Sequence, residues 1–221
     1  LWQLFFQKYY RSLSHRKVRN ILLLGPPASG KTRLLYSLAG HEIPTTYASL
    51  KASAHELAVG ELPELKKHKT AIILHDSPGL NFTPQQIEKF VCEKGLFRNN
   101  VCDFAFVVDG TRLINVQYLE LFSRCLVDVL VMRRMHIRPR DRKEHALVIL
   151  TNSDNPLFMR QENAEELIRK SVRTAQNLRI ARDAKNTSVD KEEAKMNVAL
   201  SFVSSNLTDS LLSELIRSVV D

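Results

Sequence analysis

Asn20-Ile21-Leu22-Leu23-Leu24-Gly25-Pro26-Pro27-Ala28-Ser29-Gly30-Lys31-Thr32 joins a short apolar run to a glycine-bounded turn and a basic residue. Ile21 to Leu24 predicts a buried strand ending at Gly25, and a helix is expected from near Gly30 to Leu38. Gly25 to Thr32 matches G-x-x-x-x-G-K-[ST] in the strand–loop–helix setting that gives the motif its meaning. Successive backbone N–H groups of such a loop curl around an anion at a positive helix end. Gly30 lets the backbone approach phosphates closely, Lys31 reaches the terminal phosphates, and the Thr32 hydroxyl ligates Mg²⁺. Gly25, Ala28, Ser29, Gly30, Lys31, Thr32 and the adjoining Arg33 are therefore the first candidate nucleotide contacts.

Three further segments extend this site. Ala71-Ile72-Ile73-Leu74-His75 is a second apolar run, ended by Asp76-Ser77-Pro78-Gly79. Asp76 at the strand tip is expected to hold the metal through water, and Gly79 to offer a backbone N–H to a γ-phosphate. His75 alternates to the opposite face from Asp76 and is read as a strand-end histidine, not a base. Ala146 to Leu150, followed by Thr151-Asn152-Ser153-Asp154, resembles the [NT]-K-x-D guanine-recognition motif of GTPases. The Asp154 carboxylate accepts two hydrogen bonds from guanine and cannot do so from adenine. Asn152 stands where that motif carries a lysine. Ser204-Ser205-Asn206 follows the last expected strand, where GTPases carry a loop that touches the base.

The remaining pattern agrees with one α/β domain. Apolar runs at 103–109, 145–150 and 200–203 predict strands, and residues 115–132, 162–184 and 210–220 predict helices. Alternating strands and helices imply a parallel sheet covered on both faces. The chain has 221 residues, of which 44% are hydrophobic and 25% charged, which excludes a fibrous or wholly disordered protein. Lys plus Arg exceeds Asp plus Glu by 32 − 24 = 8. That excess permits contact with RNA, anionic lipid or an acidic partner without choosing among them. The basic clusters lie at 11–19, 133–143 and 169–185; the first fits a membrane surface, and the others fit RNA or solvated faces. Cys92, Cys102 and Cys125 match no zinc spacing and read as reduced thiols of a cytosolic domain.

Residues 1–17 differ from the rest. Trp2, Phe5, Phe6, Tyr9 and Tyr10 precede Arg11, His15, Arg16 and Lys17, an order found where a helix leaves a bilayer on the cytosolic side. The same residues equally suit an amphipathic helix packed on the domain. No window of about 18 apolar residues occurs anywhere in the 221 residues. What the motifs resemble implies the division: a membrane-proximal segment at 1–17, after a missing transmembrane helix, and a GTPase-like domain at 18–221 with a charged, mobile insertion at 183–197.

Taken together, the motifs resemble small GTPases of the Arf/Sar-like branch, and more closely the signal recognition particle receptor beta subunit family. The resemblance covers residues 18 to 221. It includes Glu42-Ile43-Pro44-Thr45-Thr46, similar to the I-P-T stretch of the first switch, the D-x-P-G of Asp76 to Gly79, and the long charged helix from Leu167 to Ala184. It implies a three-layer P-loop GTPase fold with a mostly parallel central sheet flanked by helices. It further implies GTP and Mg²⁺ as ligands, with Thr45, or the adjacent Thr46, joining Thr32 and Asp76 at the metal. The guanine site would be made by Thr151, Asn152, Asp154, Ser204 and Ser205. The implied partner is the receptor alpha subunit, docked in the GTP state, with the signal recognition particle and ribosome as indirect partners. The implied location is the cytosolic face of the endoplasmic reticulum membrane. Leu80 occupies the position after D-x-P-G where related proteins carry Gln or His to orient water, so slow intrinsic hydrolysis is expected.

Two other readings stand beside this one. The loop is also similar to those of adenylate kinases and AAA+ ATPases. However, Asp76-Ser77 lacks the second, water-activating carboxylate of an ATPase, and no Arg-rich lid separates the motifs. The Leu80 and Asn152 departures also suit a structural subunit with a vestigial nucleotide site. Preference for GTP over ATP separates the first alternative, and the effect of Lys31→Ala on partner binding separates the second.

Overall fold

A computed structural model describes residues 17–38, 53–56, 70–77, 83–93, 102–136, 145–186 and 198–204. Six strands form one sheet: β1 (Lys17–Leu24), β2 (Ser53–Glu56), β3 (Thr70–Asp76), β4 (Cys102–Asp109), β5 (His145–Thr151) and β6 (Ala199–Ser204). Their spatial order is β2-β3-β1-β4-β5-β6. Five strands are parallel, and β2 adds to β3 as a short antiparallel edge. The five apolar runs expected as strands are these five parallel strands. The four-residue β2, Ser-Ala-His-Glu, is too short and polar to show as a run.

Helices α1 (Lys31–Leu38), α2 (Pro84–Glu93), α3 (Val116–His136) and α4 (Gln161–Asn186) connect the strands. α2 has no apolar periodicity long enough to stand out, yet its start is written locally. Thr83 accepts the Ile87 N–H at its carbonyl, its hydroxyl bonds Gln86, and Pro84 takes the first helical position, where a missing N–H costs nothing. Asn115 opens α3 in the same manner, its side chain accepting the Tyr118 N–H at 3.0 Å. α4 runs to Asn186, so the first residues of the expected charged insertion are helical; the stretch from 187 to 197, the segment 1–16 and the helix expected at 210–220 lie outside the described residues.

Alternation along the strands divides the core in two. Leu22, Leu24, Phe104, Phe106, Val108, Ala146, Val148 and Leu150 face the side covered by α2, α3 and α4. Ile21, Leu23, Ala105, Val107, Leu147 and Ile149 are equally buried on the other side, where α1 contributes Leu34 and Leu35. Strands covered on both faces must be apolar throughout, which is why they read as runs rather than as alternating patterns. The expected layered fold with helices on a mostly parallel sheet is thus the observed one.

Parts of the basic clusters are spent inside this fold. Arg133 of α3 donates to Asp103 at 2.6 Å and lies 5.7 Å over the Phe104 ring. Arg179 and Arg182 of α4 both meet Asp128 of α3, and Arg169 donates to the Leu200 carbonyl at 3.0 Å. Among the described residues no helix is long and apolar enough to cross a membrane.

Candidate functional site

The strand order reverses at β1, with β3 on one side and β4 on the other. In parallel α/β sheets the crevice at such a reversal, beyond the carboxyl ends of the strands, receives ligands. Gly25, Asp76, Asp109, Thr151 and Ser204 all stand at or just past strand ends on that edge.

The loop between β1 and α1 is tightly determined. Gly25 has no room for a side chain, since a Cβ there would lie 2.1 Å from the Val107 carbonyl oxygen and 2.7 Å from Ser29 Oγ. Gly30 adopts φ +89°, and Ala28 adopts φ +58°, a region that costs a residue with a Cβ on the order of 1 kcal/mol. Lys31 is buried and folds back over the loop. Its ammonium donates to the carbonyls of Gly25 (2.9 Å) and Pro26 (3.0 Å) and reaches Ser29 Oγ at 3.4 Å. Burial pulls its pKa from the usual 10.5 to about 8, and the Asp76 charge opposes that fall.

Thr32, in the first turn of α1, donates from its hydroxyl to Asp76 Oδ2 at 2.6 Å. Asp76 is fully buried at the end of β3, held in register opposite Leu23 of β1. Ser77 locks that end by donating both its N–H (3.4 Å) and its hydroxyl (2.8 Å) to the Leu23 carbonyl. A hydroxyl and a carboxylate in contact beside an anion-binding loop are hard oxygen donors, the set that Mg²⁺ prefers. His75 points elsewhere, with Nε2 2.9 Å from Asn20 Oδ1, in keeping with a strand-end role.

Thr151, expected on the guanine side, has its hydroxyl turned inward to the phosphate loop. It donates to the Ser29 carbonyl at 2.8 Å and also lies 3.2 Å from the Val108 carbonyl, so it braces the phosphate loop from β5. Asn152 is half-buried with φ +56°, and its carbonyl accepts the Asn155 N–H at 3.1 Å, closing a turn that leaves Asp154 exposed. Ser153 and Ser204 join their hydroxyls, tying the turn after β5 to the end of β6. Arg33 is exposed on α1 and takes no part in the cluster around Lys31, Thr32 and Asp76 that is described above. Thr45, Gly79 and Ser205, together with Leu80, lie outside the described residues.

The loop after β4 contains residues that motif matching passed over. Asp109 accepts from the N–H (3.0 Å) and hydroxyl (2.7 Å) of Thr111, and its own N–H donates to the Tyr118 hydroxyl at 3.0 Å. Burial pushes the Tyr118 phenol up to about 12. Gly110 is packed so closely by Phe158 that a Cβ would overlap its ring at 1.9 Å. Arg112 reaches across to donate to the Pro27 carbonyl at 3.3 Å. The one sequence signal was a buried strand ending in Asp-Gly, which is too common to single out.

Residues 16–206 match the family described as signal recognition particle receptor beta subunit. No curated protein matches the sequence significantly. Among solved structures, the mammalian signal recognition particle receptor superposes with a TM-score of 0.61 at 18% identity, covering 90% of this chain and 99% of that one. A signal recognition particle receptor SRb-GTP/SRX complex from Chaetomium thermophilum gives 0.58 at 16% identity, covering 86% and 92%. A bacterial selenocysteine-specific elongation factor gives 0.52 at 17% identity, with 92% of this chain matched to 29% of that one. At these identities the superpositions speak for the fold.

Proposed function

We propose that this chain, which belongs to the signal recognition particle receptor beta subunit family, binds GTP with Mg²⁺ and in that state docks the receptor alpha subunit. The carrying observation is the Thr32–Asp76 hydrogen bond at 2.6 Å, beside a loop whose lysine is already folded over it. The similar Chaetomium thermophilum assembly, solved as an SRb-GTP/SRX complex, supports GTP as the nucleotide. Lys31, the loop N–H groups and Gly79 would hold the phosphates. Thr32, Asp76 and Thr45 would hold Mg²⁺, which supplies charge neutralisation between the phosphates when bound. Thr151, Asn152, Asp154, Ser204 and Ser205 would form the base side.

In this reading GTP orders the segments around Thr45 and Gly79, and the partner interface depends on that order. The complex serves delivery of ribosomes bearing signal sequences to the cytosolic face of the endoplasmic reticulum membrane, and Leu80 keeps intrinsic hydrolysis slow. Titration of a fluorescent guanine nucleotide with Mg²⁺, competed by GTP, GDP and ATP, tests the nucleotide. Competition by GTP and not ATP is expected; equal competition by ATP refutes the guanine assignment. Pull-down of the alpha subunit by Lys31→Ala tests the coupling. Loss of binding is expected, and retention would assign the chain a structural role with a vestigial site.

A further inference from the structure

The carbonyls of the phosphate loop are held from several directions: the Ser29 N–H closes a turn onto the Pro26 carbonyl at 3.3 Å, and side chains reach Gly25, Pro26, Pro27 and Ser29. Lys31 takes Gly25 and Pro26, and Thr151 takes Ser29. The carbonyl of Pro27 is taken by Arg112, 85 residues away in the loop after β4. A trans peptide points its C=O and N–H in opposite directions. Drawing the Pro27 carbonyl outward therefore turns the Ala28 N–H the other way. Ala28 sits at φ +58°, a conformation that persists only where surrounding contacts over-determine it.

Arg112 is itself held for this task. Its guanidinium lies 4.4 Å over the Tyr118 ring, and the Tyr118 hydroxyl is fixed by the Asp109 N–H. The adjacent turn is pinned by the two hydrogen bonds from Thr111 to Asp109. An exposed arginine with a single carbonyl contact would ordinarily wander; stacking on a buried, anchored tyrosine limits it. The stack also leaves a fixed positive charge at the rim of the phosphate loop.

We propose that Arg112 is a positioning residue for nucleotide binding: through the Pro27 carbonyl it holds the Pro27–Ala28 peptide with its N–H presented to a bound phosphate. The role rests on the nucleotide-binding reading above. It acts on the phosphates shared by all nucleoside triphosphates, so it carries no base preference.

The test uses the full chain and its Arg112→Ala and Arg112→Lys variants, titrated with fluorescent Mg·GTP and competed with ATP. Thermal midpoints are recorded without nucleotide. Arg112→Ala should weaken GTP binding on the order of ten-fold, because the Pro27–Ala28 peptide must then be ordered at the expense of binding. Its GTP-to-ATP preference and its nucleotide-free midpoint should stay unchanged. Arg112→Lys, which keeps a cation within reach of the Pro27 carbonyl, should recover most of the affinity. Unchanged affinity in Arg112→Ala overturns the assignment while leaving nucleotide binding intact. A matching fall in the nucleotide-free midpoint, unrescued by lysine, assigns Arg112 a purely structural role and also overturns it. Absence of binding by the unmodified chain overturns both this role and the function it rests on.

Discussion

Lys31 shows how far one side chain depends on its surroundings. Its type and spacing were plain in the motif, but its state was not. Burial against the loop carbonyls lowers its pKa to about 8, because removing an ammonium from water penalises the charged form more than the nearby Asp76 carboxylate restores it. A bound phosphate favours the charged form and raises the pKa again. Below about pH 8 the free protein already carries the proton and affinity is full. Above it, binding must take up a proton, and affinity falls by up to about ten-fold per pH unit until the raised pKa of the complex is reached. Nucleotide titrations from pH 7 to 9.5, with calorimetry in buffers of different ionisation heat, should show that fall and the accompanying proton uptake. A flat profile would mean that Lys31 stays charged without ligand.

At the scale of elements, the site is an assembly of strand ends, and the phosphate loop is tied to β5 by Thr151 and to the loop after β4 by Arg112. β5 contributes Thr151, whose hydroxyl serves the Ser29 and Val108 carbonyls at once. Thr151→Val keeps the shape, removes the donor and leaves buried carbonyls without that partner. It should cost about 1–3 kcal/mol in denaturant unfolding and weaken nucleotide binding. Thr151→Ser should restore most of both, which distinguishes the hydroxyl from the packing of the methyl group. The sequence suggested Thr151 for the base side, whereas its hydroxyl bonds the phosphate-loop carbonyl of Ser29. Only the register Asp109↔Thr151 between β4 and β5 turns it toward the loop. The helix α2 was missed for the opposite reason: its Thr83-Pro84 start is local and legible, whereas its apolar face is short.

For the whole molecule, one apolar layer between sheet and helices carries the geometry of the crevice. Phe122 of α3 is fully buried and meets Phe106 of β4 edge-on, with centroids 6.4 Å apart at 89°. Phe122→Ala should destabilise by about 3–5 kcal/mol and lower the melting midpoint on the order of 10 °C. Melting monitored by circular dichroism checks this, and a shift of only a degree or two would mean that α3 repacks freely. The sequence by itself determined the parallel strands and the phosphate loop, because these rest on local periodicity and on a motif with fixed spacing. Tertiary structure alone decided that the antiparallel β2 closes one edge of the described sheet, and that Arg133 pairs with Asp103 while Arg179 and Arg182 meet Asp128. It alone decided, too, that Arg112 reaches the Pro27 carbonyl. Those contacts join residues far apart in the chain through side chains of common type, so no spacing announces them; they exist only once the packed layers bring the strand ends to a single edge.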